Sequence, residues 1–138
     1  MELCIWKKEK HSAVHQQSIV GKILLGGDVV DKIKVLVVDD SPFSQKIIEN
    51  ALVNSNYEIC AFADTGREGI EKYRTLHPDI ITMDLTLPDI PGLECCKEIL
   101  IFDPRAKIVV VSAMKDEAII NNGTAIGVKG FIQKPIKA

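Results

Sequence analysis

From Ile33 onward, short runs of β-branched and other apolar residues recur at a steady interval: Ile33–Val38, Glu58–Phe62, Ile80–Met83, Ile108–Val111 and Gly130–Ile132. The stretches VLVV and IVVV are apolar without interruption. Strands covered on both faces read this way, whereas a strand with one wet face alternates. Segments of helical length lie between the runs. In the first, Phe43, Ile47, Ile48, Ala51 and Leu52 share one face, and Gln45, Lys46, Glu49 and Asn50 the other. Ser41-Pro42 opens it with a hydroxyl at the N-cap and proline at the first helical position. Further helices are predicted over Gly66–Thr75, Gly92–Phe102 and Asp116–Ile126, each bounded by Gly, Pro or Asp, with His77-Pro78 as a helix exit. Strand–helix alternation of this kind predicts an α/β domain over residues 33–138, a doubly wound parallel sheet of five strands with helices on both faces.

Residues 1–32 break the rhythm. Five lysines (Lys7, Lys8, Lys10, Lys22, Lys32) face four acids there, a net of +1 that leaves −3 for the remainder. Ile19, Val20, Ile23 and Leu24 fall on one helical face before Gly26-Gly27. The expectation is an extension that is either disordered or a short amphipathic helix. Lys7, Lys8 and Lys10 stand where a signal peptide needs its apolar core. No stretch approaches the roughly 18 apolar residues of a membrane span, so a cytoplasmic location with no membrane contact is expected.

Composition narrows the function classes. With 46% hydrophobic and 26% charged residues, the chain is not of the disordered class. A net charge of −2 gives no fold-wide positive field, and direct nucleic-acid binding is not expected. Cys4, Cys60, Cys95 and Cys96 form no Cys-x-x-Cys pair and have no histidine at metal spacing, so they read as small buried hydrophobes.

The chemistry stands where the strands end. Asp39-Asp40 follow VLVV, Asp84 follows IITM, Ser112 follows IVVV, and Lys134 follows GFIQ and precedes Pro135. In an open parallel sheet the strand C-termini share one edge, and ligands bind in the crevice there. Three carboxylates, a hydroxyl and an ammonium therefore converge. Carboxylates about 5 Å apart repel by roughly 3 kcal/mol per pair at an effective dielectric near 20, so the cluster needs the lysine, raised pKa values or a cation. Oxygen ligands shared with water and a phosphoryl oxygen suit Mg²⁺ better than zinc. Asp84 is the natural nucleophile, able to take a phosphoryl group as an acyl phosphate while Lys134 neutralises its oxygens.

Four motifs carry a resemblance: VLVVDDS, DIITMDLTLPDIPGLE with proline four and glycine eight residues after Asp84, IVVVSA, and GVKGFIQKP. Together, in this order and spacing, they resemble a response-regulator receiver domain of two-component signalling, of the chemotaxis-regulator kind. The resemblance implies a flavodoxin-like strand order 2-1-3-4-5. It also implies Mg²⁺ on Asp39, Asp40, Asp84 and the main-chain carbonyl of Thr86. Asp84 is then the phosphoacceptor for a sensor histidine kinase or phosphotransfer protein, with Lys134 and Ser112 beside it and Ser112 and Phe131 as switch residues. It further implies a downstream protein target, or an output domain not present here, and a partner or dimer face on the helix Asp116–Ile126. Phe131 lacks the hydroxyl of the more familiar tyrosine.

Two features depart from that pattern. A receiver has a fifth helix after Lys-Pro, and only Ile136-Lys137-Ala138 follow here. A fragment, completion by a partner, or unusual closure each accounts for that. A helix around Ser12–Leu25, running antiparallel into the first strand, would fill the slot as a local permutation. The main rival function is a pseudo-receiver signalling without phosphate, which the intact acidic pair, Asp84 and Lys134 argue against. An aspartyl-phosphate phosphatase would need an acid at position 86, where Thr86 stands. Neither a Ser/Thr/Gly-rich phosphate loop nor G-x-G-x-x-G is present for a flavin or dinucleotide.

Overall fold

The computed structural model describes residues 31–113 and 116–136. In chain order the elements are β1 (Ile33–Val38), α1 (Pro42–Ala51), β2 (Tyr57–Ala63), α2 (Gly66–Leu76), β3 (Ile80–Asp84), α3 (Gly92–Phe102), β4 (Ile108–Ser112), α4 (Glu117–Ile126) and β5 (Gly130–Gln133). The five strands form one sheet in the order β2-β1-β3-β4-β5, parallel throughout. This is the expected doubly wound arrangement. No helix follows β5 among the described residues, and the helix expected over Ser12–Leu25 lies outside them.

The helix starts follow their caps. Ser41 caps α1 by accepting from the Ser44 N–H, and Thr65 caps α2 by accepting from the Glu68 N–H. Glu68 reaches back to the Asp64 N–H at 2.7 Å, so its carboxylate also serves the positive end of that helix. Asp116 caps α4, which ends on Gly127 at a φ of 112°. His77 ends α2 in the left-handed region at φ 47°, directly before Pro78.

Side-chain alternation divides the core between the two sheet faces. Leu36, Val38, Ile81, Met83, Ile108 and Val110 pack against Ile70 and Tyr73 of α2 and Cys95, Cys96 and Ile99 of α3. Val35, Val37, Ile80, Val109 and Val111 pack on the other face against Ile48 and Leu52, which α1 and its cap supply. Each large aliphatic side chain removed from water contributes about 1.5–3 kcal/mol. The central strands β1, β3 and β4 are nearly fully buried, which explains their unbroken apolar runs. Burial pushes the Cys95 thiol up to about 11 and the Cys96 thiol up to about 12, the behaviour of inert core residues.

One expected core residue does not join. Phe43 was placed on the apolar face of α1, yet it is 75% exposed. The helix packs through Ile48 and Leu52, and its first turn stands beside a region of the sheet that no second helix covers among the described residues.

Candidate functional site

Strand direction alone assembles the site. β1, β3, β4 and β5 point the same way, so Asp39, Asp84, Ser112 and Lys134 meet at their carboxyl ends. Asp84 and Ser112 are the last residues of β3 and β4, one position further into the sheet than their runs predict. Carboxylate oxygens of Asp39, Asp40 and Asp84 all lie within 4.8 Å of one another. Asp39 and Asp84 are buried, while Asp40 is exposed.

Lys134 is the counterweight. Its Nζ lies 2.8 Å from Asp39 Oδ2 and 3.4 Å from Asp84 Oδ2, from a side chain only 19% exposed. The strand end carrying it is held by the Lys134 N–H donating to the Ser112 carbonyl at 2.8 Å. Burial pushes the Asp84 carboxyl above the usual carboxylate value, and the Asp39 charge pushes the same way; the Lys134 charge and the Thr86 N–H pull it back without cancelling the rise. Burial by itself would lower Lys134, but hydrogen bonding to Asp39 and the charges of Asp39 and Asp84 outweigh it and raise the ammonium's pKa. A buried carboxylate held between a cation and a second acid has its proton affinity set by desolvation and nearby charges together.

The remaining expected residues are placed as follows. Thr86 is exposed just beyond β3, and its N–H donates to Asp84 Oδ1 at 3.3 Å. Ser112 is buried. Phe131 is half-buried on β5, and with Leu85, Val110, Ser112, Ile119 and Ile120 it lines a cavity of about 180 Å³. Its ring lies so close to Gly123 of α4 that a Cβ there would stand 2.6 Å from the ring's Cζ.

Two supporting residues escaped the sequence reading. Gln45 Nε2 donates to the Asp39 carbonyl at 2.6 Å and to Asp64 Oδ1 at 2.8 Å. It lies on the polar side of α1, and nothing in its spacing distinguishes it there. Asp89 accepts from the Gly66 and Arg67 N–H groups at 2.8 and 2.9 Å, bracing the loop after β3 against the start of α2. Those backbone bonds, the Arg67 one foremost, hold its carboxyl below the usual range. An acid in a Pro-x-x-Pro-Gly loop was the available signal. Gly92, already part of the motif, has a geometric reason: a Cβ would come within 2.2 Å of the Asp84 carbonyl oxygen.

Residues 35–138 match the family described as the response regulator receiver domain. The chain belongs to that family. It is 42% identical to the chemotaxis protein CheY of Thermotoga maritima over 104 residues, covering 75% of this chain and 87% of the relative. Among solved structures it superposes on the CheX–CheY–BeF3–Mg²⁺ complex of Borrelia burgdorferi with TM-score 0.73 and 33% identity, covering 76% of this chain and 80% of that one. The response regulator domain of Thermotoga maritima CheB gives TM-score 0.71 and 36% identity, with 75% and 79% covered. The receiver is thus a phosphoacceptor module of two-component signalling, in a family of signalling proteins rather than of enzymes. Among its described residues no helix is long and apolar enough to cross a membrane.

Receiver domains bind Mg²⁺ at their acidic pocket, and the donor set here fits that ion: oxygen only, three carboxylates converging at one point, two buried and one open to solvent.

Proposed function

We propose that Asp84 is the phosphoacceptor and that this receiver catalyses its own phosphorylation and dephosphorylation. The donor is a phosphohistidine on a sensor kinase or phosphotransfer protein. The reading rests above all on Lys134, whose ammonium reaches both buried acids at once. In the transfer, an Asp84 carboxylate oxygen forms a bond to phosphorus as the histidine N–P bond breaks, and the ring leaves as neutral imidazole with a proton on one nitrogen. Lys134 moves its hydrogen bond from Asp84 to a phosphoryl oxygen and stabilises the charge that collects there. Asp39, Asp40, Asp84 and the Thr86 carbonyl would hold Mg²⁺, which would supply charge neutralisation and orientation of the phosphoryl oxygens.

Ser112 donates to the phosphoryl group, and Phe131 follows it into the cavity they share. Phosphorylation adds about −1.5 to −2 charge and strong acceptor oxygens, enough to bias such a two-state pair. The ring's contact with Gly123 passes the movement to α4, whose outer face is the surface for a downstream protein or a dimer. A cytoplasmic location accords with this chemistry. The rival reading, a pseudo-receiver, has no observation in its favour at this site.

Intact-protein mass after incubation with acetyl phosphate tests the proposal. A single Mg²⁺-dependent phosphoryl adduct is expected; none in folded protein would contradict it and favour the pseudo-receiver.

A further inference from the structure

Asp39 and Asp40 are neighbours with unequal anchorage. The Asp39 N–H donates to the Ala63 carbonyl at 2.9 Å, its Oδ1 accepts from the Ser41 N–H at 2.9 Å, and its Oδ2 accepts from Lys134 Nζ at 2.8 Å. Asp40 is exposed, yet one of its carboxylate oxygens lies within 4.8 Å of those of Asp39 and Asp84. The direction in which its side chain leaves the backbone depends on the peptide that precedes it, and the carbonyl of that peptide belongs to Asp39. This carbonyl stands between two elements. β1 ends at Val38 and α1 begins at Pro42, so neither the ladder nor the helix supplies its donor. A side chain does so instead. Gln45 Nε2 donates to the Asp39 carbonyl at 2.6 Å and to Asp64 Oδ1 at 2.8 Å. Both partners are acceptors, so the amide has one workable orientation; flipped, it would set its oxygen against a carbonyl and a carboxylate.

We propose that Gln45 is a positioning residue for Mg²⁺: it holds the Asp39–Asp40 peptide and so fixes the direction in which Asp40 enters the site, while Asp64 holds Gln45. The inference rests on the reading that Asp39, Asp40 and Asp84 bind the ion, and adds a residue that does not touch it. A buried main-chain carbonyl deprived of its donor is costly. The peptide between the two acids would relieve that cost by turning, and Asp40 would turn with it. Partners that orient metal ligands set affinity in this way. Gln45 is neutral, so its influence passes through geometry and not through its own charge. The anchor is itself braced, because the Asp64 N–H donates to Glu68 Oε1 at 2.7 Å in the first turn of α2. The loop after β1 and the loop after β2 are thereby joined through one amide.

The test is a Mg²⁺ titration of the full chain followed by amide NMR, on the parent and three variants. Gln45→Met keeps length, charge and helix propensity and removes both donors. Its Mg²⁺ dissociation constant is expected to rise about 3- to 10-fold, the worth of one hydrogen bond. Phosphorylation by acetyl phosphate should then need more Mg²⁺ by the same factor, yet reach the parent's rate at saturating ion, a split that a general loss of stability does not produce. Asp64→Ala and Asp64→Asn lose the same charge, but the asparagine oxygen still accepts from Gln45. The alanine variant should therefore bind Mg²⁺ about twofold or more weakly than the asparagine one. Asp64 is exposed, so this pair decides the matter even where Gln45→Met does not fold. Equal constants for Gln45→Met and the parent, equal constants for the two Asp64 variants, or a rate deficit that saturating Mg²⁺ leaves in place each overturn the proposal. A parent with no Mg²⁺-dependent shifts around Asp39, Asp40 and Asp84 overturns the metal reading, and this inference with it; a parent that binds beside variants that bind equally overturns this inference alone.

Discussion

Asp79 and Asp84 stand at opposite ends of one strand and do different things. Asp79 precedes β3 on the amino edge, where its Oδ2 accepts from the Lys34 N–H at 2.8 Å and its own N–H donates to the Lys34 carbonyl at 2.9 Å. Its carboxylate helps to continue the ladder between β1 and β3. Asp84 ends the strand on the carboxyl edge, buried and faced by Asp39, Asp40 and Lys134. Its backbone partner, the Thr86 N–H, is long at 3.3 Å. One acid is tied to the main chain of a neighbouring strand; the other is buried beside a second acid and a lysine. The crevice where parallel strands end and loops diverge makes that difference possible.

Several substitutions sharpen this contrast. The largest effect belongs to Asp84→Asn, which removes the nucleophilic oxygen pair and should abolish the phosphoryl adduct in the intact-mass assay. Lys134→Ala comes next. Loss of one preorganised donor at a developing anion typically costs about 10²–10³-fold in rate, and a drop of roughly that size in phosphorylation rate is expected at saturating acetyl phosphate. A rate within threefold of the parent would remove Lys134 from the mechanism.

Gly92→Ala tests the loop geometry instead of the charges. The added Cβ meets backbone at Asp84 and Leu85, which cannot swing aside as a side-chain tip can. A loss of about 2–3 kcal/mol is expected by chemical denaturation, near the upper end for overpacking. An unchanged midpoint would show that the loop adapts.

The pH dependence follows from Asp84. Its folded-state pKa is raised above 3.8, so the folded protein holds this proton more tightly than the unfolded chain. The favourable contribution of the protonated group is present below 3.8 and is lost as pH rises through the folded pKa. Carbon-13 titration of the Asp84 carboxyl should give a midpoint above 3.8 that Mg²⁺ draws downward; a midpoint at or below 3.8 without the ion would contradict the burial argument. Asp79→Asn is the smallest perturbation, about 1 kcal/mol or less, because an amide oxygen can still accept from the Lys34 N–H, and the adduct is expected to be unaffected. Loss of phosphorylation in that variant would erase the distinction between the two edges.

Much of this was legible beforehand because the signals are physical. Uninterrupted runs such as IVVV mark strands buried on both faces, and in the observed sheet they are the central ones. Polar residues breaking those runs at their C-terminal ends mark the edge where Asp39, Asp84 and Lys134 meet. Phe43 was misjudged for a reason equally physical. Amphipathic spacing says which side of α1 is apolar, but not whether a neighbouring helix is there to receive it. Gln45 escaped because its role depends on a main-chain carbonyl and on Asp64 across the loop, and neither leaves a mark on the local pattern. Asp89 escaped because its partners are the backbone amides that open α2.

Reductive trapping tests the central claim most directly. Borohydride reduces an acyl phosphate to an alcohol and leaves free carboxylates untouched, so the phosphorylated aspartate is marked where it stands. After acetyl phosphate and Mg²⁺, peptide mass spectrometry should find the reduced residue at position 84, with Asp39, Asp40 and Asp79 intact. A mark at any of those three and none at 84 would contradict the account.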